Sequence, residues 1–62
     1  MSVEDSLRRA EELMERLEET RARLEATTDP EKAIEVLSEL AEIAREVEAA
    51  LSQAKREADA EP

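Results

Sequence analysis

An all-α fold, a two-helix antiparallel hairpin of coiled-coil type suited to assembly into a larger helical bundle, follows from three features of this chain. Apolar residues return every three or four positions along almost its whole length, which is the spacing of one helix face. Glycine is absent and Ala, Glu, Arg and Leu are abundant, so little in either stretch opposes a helix. One break interrupts the pattern, Ala26-Thr27-Thr28-Asp29-Pro30, where a Thr or Asp N-cap precedes a proline that fits the first helical turn. The expected layout is one hairpin domain over residues 1–62, with a first helix at about 3–26, a turn at about 27–29 and a second helix at about 30–58.

The first helix reads as heptads: Val3-Glu4-Asp5-Ser6-Leu7-Arg8-Arg9, then Ala10 to Arg16, then Leu17 to Arg23, with Leu24-Glu25 opening a fourth. Val3, Ala10, Leu17 and Leu24 take the a position and Leu13 a d position, with Leu7 and Met14 beside them at e. All seven are expected in the hairpin core. Arg9, Arg16 and Arg23 recur at g, where their stems can lie over the seam while their heads meet Glu across an interface. Ser2 followed by Asp5 resembles a capping box, which starts the helix near Val3. Glu4 with Arg8, Glu12 with Arg16 and Glu19 with Arg23 have the favourable i,i+4 order. Downstream the seam weakens at Thr20 and Arg21.

In the second helix Ala33, Leu37, Leu40, Ala44, Val47, Leu51, Ala54 and Ala58 follow an unbroken four-three alternation, read as the seam toward the first helix. Of these, Leu37, Leu40, Ala44, Val47, Leu51 and Ala54 complete the expected hairpin core. Val36, Ile43 and Ala50 lie on one flank and Ile34 and Ala41 on the other, so the apolar arc is wider than one neighbouring helix covers. These five are the expected contacts for an outside partner. A chain of 62 residues is marginal when it folds alone, which argues for such a partner or for self-association into a homo-oligomer.

Composition removes most site chemistry. Cys, His, Gly, Trp, Tyr and Phe are absent, and with them disulfides, imidazole and thiolate metal sites, Gly-rich phosphate loops and aromatic base-stacking platforms. Glu11, Glu12 and Glu15 are close on a helix, but a solvated face explains them better than a Mg²⁺ or Ca²⁺ site. Ser6, Ser38 and Ser52 have no activating base, and Lys32 and Lys55 sit among polar residues. No catalytic residue, cofactor or metal is expected. The net charge of −9 opposes contact with phosphate backbones and anionic lipid, so direct nucleic-acid binding and membrane binding are not expected. Without a long apolar run, a soluble cytoplasmic protein is the expectation.

Val3-Glu4-Asp5-Ser6-Leu7, Leu13-Met14-Glu15-Arg16-Leu17-Glu18 and Leu24-Glu25 resemble the first helix of the exodeoxyribonuclease VII small subunit. Ala33-Ile34-Glu35-Val36-Leu37, Glu42-Ile43-Ala44-Arg45 and Leu51-Ser52-Gln53-Ala54 are similar to its second helix. The resemblance implies a non-catalytic subunit that binds the helical region of a nuclease large subunit, whose active site degrades single-stranded DNA. The alternative is a self-associating hairpin, natural or designed, that forms a homo-oligomeric bundle with a structural or adaptor role.

Overall fold

Ser2 opens the first helix. Its Oγ accepts the Asp5 N–H at 3.1 Å and its carbonyl accepts the Ser6 N–H at 3.1 Å, occupying donors that a helix start leaves unpaired. In the computed structural model, which describes residues 2–60, the chain forms two helices, α1 (Val3–Ala26) and α2 (Pro30–Ala60), packed against each other as an all-α hairpin. α1 stops at Thr27, whose extended backbone (φ −86°, ψ 125°) leaves the helix while its N–H still reaches the Leu24 carbonyl at 3.1 Å. Asp29 then caps α2: its Oδ1 accepts the Glu31 N–H at 2.9 Å and its carbonyl accepts the Ala33 N–H at 2.9 Å. Pro30 takes the position whose missing N–H costs nothing. α2 extends two residues past the expected end, to Ala60.

Three turn residues force the helices antiparallel, and one continuous seam joins them. On α1 the side turned to α2 carries Val3, Ser6, Ala10, Leu13, Leu17, Thr20 and Leu24, each buried or half-buried. On α2 it carries Ala33, Val36, Leu40, Ile43, Val47, Ala50, Ala54 and Glu57. Both lists alternate by three and four, the a and d columns of a heptad. Ala10, Leu13, Ile43 and Ala50 form the buried cluster at the centre, with Leu17 and Val47 packed on it.

This seam corrects the expected one on α2. Val36, Ile43 and Ala50, expected as outside contacts, are buried against α1. Leu37, Ala44 and Leu51, expected inside, are exposed. The columns lie side by side on α2, so moving the seam by one column exchanges Leu37, Ala44 and Leu51 for Val36, Ile43 and Ala50 while Ala33, Leu40, Val47 and Ala54 stay inside. On α1, Leu7 and Met14 were expected in the hairpin core and are instead 43% and 52% exposed. They sit at e, just outside the a column and on the opposite side of the seam from Ser6 and Leu13 at d.

Two buried polar residues, Ser6 and Thr20, sit in the seam with partners, and Glu57 at its end is half-buried. Ser6, 1% exposed, donates from Oγ to Glu57 Oε1 at 2.5 Å and ties the open end of the hairpin. Thr20 donates to the carbonyl of Arg16 at 2.8 Å, one turn back on its own helix. No buried side-chain polar atom among the described residues lacks a partner. The result is a rod with a radius of gyration of 14.5 Å, against about 10.6 Å for a compact chain of this length.

Candidate interaction surface

The two long sides of the rod differ in chemistry, and one ion pair tells which columns border each. Arg23 Nη2 lies 3.0 Å from Glu39 Oε2, joining the g column of α1 to the g column of α2. An open groove runs along this side, lined by Arg16, Glu19, Arg23, Glu39, Glu42 and Glu46 over Thr20 and Ile43. The expected meeting of a g arginine with a glutamate across an interface therefore occurs inside the hairpin. The pairs foreseen within α1 give way to others: Arg8 approaches Asp5 at 3.9 Å, and Arg23 takes Glu39.

If the g columns share one side of an antiparallel pair, the e columns share the other. That side is apolar. α1 contributes Leu7 and Met14 at e, and α2 contributes Leu37, Ala44 and Leu51 at e with Ile34 and Ala41 at b. Every large apolar side chain left exposed among the described residues, Leu7, Met14, Ile34, Leu37 and Leu51, lies on this e face. The exposures run from 43% at Leu7 to 64% at Ile34. Of the five residues expected to meet a partner, Ile34 and Ala41 are on this face, while Val36, Ile43 and Ala50 are shut inside the hairpin.

Toward the turn the face changes character on α1. Arg21 occupies the e position after Met14, and its guanidinium contacts Glu18 Oε1 at 2.6 Å and Glu25 Oε1 at 2.5 Å. Hydrogen bonding to Arg21, and then its charge, hold the Glu18 carboxyl below the usual carboxylate range; the same partners push the Arg21 guanidinium further up. Along the α1 border of the face runs an acidic column, Glu4, Glu11, Glu18 and Glu25.

The acidic and hydroxyl side chains singled out in the sequence lie apart on the described residues. Glu11, Glu12 and Glu15 stay exposed on one helix, and no group of three or more Asp or Glu able to hold a metal ion occurs among the described residues. Ser6 is engaged with Glu57, and Ser38 and Ser52 are exposed on α2. Among the described residues no helix is long and apolar enough to cross a membrane. These features define a helical hairpin with one apolar face. No family model, curated protein or solved structure matches this chain.

Proposed function

We propose that this chain is a non-catalytic helical assembly module whose e face docks against other helices. The observation that carries the reading is the segregation of the five exposed large apolar side chains among the described residues to one side of a two-helix rod. Scattered exposed leucines are ordinary; a continuous apolar stripe rimmed by charge marks an association surface. Each of these side chains is about half covered, so covering the remainder is worth roughly 4–7 kcal/mol per chain at about 1.5–3 kcal/mol for a full burial. That gain is comparable to the ~4–15 kcal/mol cost of association, so the module binds where a partner adds apolar contacts of its own.

The resemblance of its heptads to the exodeoxyribonuclease VII small subunit gives the partner a specific form, the helical region of a nuclease large subunit in the cytoplasm. In that setting the large subunit performs the chemistry and this chain supplies assembly. The test is co-purification of the tagged chain with such a subunit, alongside a variant carrying Leu37→Asp and Leu51→Asp. Recovery with the unaltered chain and loss with the variant supports the reading, because a carboxylate buried without a partner opposes docking strongly while one left in water does not. Nuclease activity on single-stranded DNA is expected only with the large subunit present. Equal recovery with both forms, or turnover by the isolated chain, overturns it.

A further inference from the structure

We infer that a second copy of this chain covers the e face, with the turns of both copies at the same end of a four-helix bundle. The inference rests on the association reading above; it gives the e face to a second copy rather than to the nuclease large subunit, and adds the orientation. Two hairpins laid face to face about a two-fold axis have two arrangements. If the axis runs along the rod, both turns share an end and α1 lies over the second copy's α2. If the axis crosses the rod, the turns point opposite ways and α1 lies over the second copy's α1.

Charge separates the two. With the turns opposed, the exposed column Glu4, Glu11, Glu18 and Glu25 meets its own symmetry mate. Like charges then line the border, and the nearby Arg21 is already held by Glu18 and Glu25. Apolar matching conflicts between the two seams as well: an axis that lays Leu37 of one α2 over Leu51 of the other crosses α1 close to Arg21 and brings the two Arg21 side chains together.

With the turns together, the acidic column faces α2 instead. Its opposite column is Ile34, Ala41, Glu48 and Lys55, with Arg45 on the next column outward. The contacts Arg23 to Glu39 and Ser6 to Glu57 mark which residues of α1 and α2 are level along the rod. An axis along the rod keeps those levels between copies. The second copy's Arg45 then comes level with Glu18, and its Lys55 falls between Glu4 and Glu11. Glu48 in that column, and Asp59 on the column of Arg45, are the like charges. On the inner side, the second copy's Leu51 falls between the levels of Leu7 and Met14, while its Ala44 and Leu37 fall on either side of Arg21.

Size fits a second copy too. The rod measures 52 Å by 14 Å in backbone outline, a footprint of roughly 700 Å², close to the ~800 Å² that each partner buries in a standard stable interface. All helix neighbours in this bundle are antiparallel, the usual four-helix arrangement.

The test uses the full chain with Thr28→Cys, an exposed turn position in a protein that has no other cysteine. Sedimentation equilibrium at tens of micromolar reads the mass, and a spin label on the new cysteine reads the distance between turns. A mass of two chains with labels within roughly 30 Å, the scale of neighbouring helices about 8–10 Å apart plus label arms, supports the inference. A mass of two chains with a separation near the 52 Å rod length overturns the orientation. A mass of one chain, or of more than two, overturns the second-copy occupant. Only the first of those leaves the face open, and there co-purification with a nuclease large subunit, sensitive to Leu37→Asp and Leu51→Asp, tells whether the association reading stands without it.

Discussion

At the scale of single residues, exposure decides between hairpin packing and outward docking. Ile43 is 5% exposed at the centre of the buried cluster, whereas Leu37 on the same helix is 51% exposed. Ile43→Ala should lower hairpin stability by about 2–5 kcal/mol, the usual loss for emptying a buried aliphatic site. Leu37→Ala should leave the dilute chain's melt nearly unchanged and weaken association. Thermal melts by circular dichroism, at concentrations too low for association, check the contrast; equal losses at both positions would refute the seam. Glu18 offers a pH test. Its folded carboxyl titrates below the ordinary range because of Arg21, so its contribution is present above the unfolded pKa and is lost as pH falls through the folded one. Glu18→Gln should therefore differ from the unaltered chain at neutral pH and match it at low acid pH. Both partners are exposed, and salt should shrink the difference at neutral pH.

Each helix is held by its ends as well as its stripe. α2 starts on Asp29, whose carboxylate takes the Glu31 N–H, and the following Pro30 has no N–H to satisfy. Removing the cap with Asp29→Ala should cost about 1 kcal/mol, within the 0.5–2 kcal/mol range for such substitutions. On a chain of this size that lowers the melting temperature by several degrees, readable in a single melt. A shift below a degree would mean that packing on α1 alone sets where α2 begins. The seam itself tolerates Ser6 and Thr20 because each hydroxyl has an acceptor, Glu57 in one case and the Arg16 carbonyl in the other. The same residues make α1 a weaker apolar partner than α2.

The whole molecule is a thin acidic rod, and its stability should depend on how many copies are present. Binding that involves only the folded state raises the melting temperature with concentration. Melts from about one to one hundred micromolar should shift upward by several degrees, more steeply at moderate salt, where repulsion between chains of net charge −9 is screened. A melting temperature independent of concentration at every salt level would exclude self-association through the e face. The Leu37→Asp and Leu51→Asp pair should remove the dependence without removing the helices.

Periodicity, composition and the Thr-Thr-Asp-Pro break were enough to determine two helices, their approximate ends and their antiparallel pairing. The physics involved is local: propensity, caps and a single proline act over a few residues. The a column on both helices could be read in the same way, since Val3, Ala10, Leu17 and Leu24, with Leu40 and Val47, are inside under either register. Which second column completes the α2 seam was not local. Val36, Ile43 and Ala50 compete there with Leu37, Ala44 and Leu51, and the two sets offer similar apolar surface, so hydrophobic pattern alone cannot choose. A signal lay in the border. The observed seam sets Glu39 beside Arg23 and Glu46 along the same groove, whereas the other would lay the g arginines over Val36 and Ile43. Strict heptad counting from Val3 likewise puts Ser6 and Thr20 inside and Leu7 and Met14 out, against their polarity. Only the packing of α1 on α2 decided these positions, because a coiled-coil seam is chosen jointly by two helices, and with it came the outward face that assembly would use.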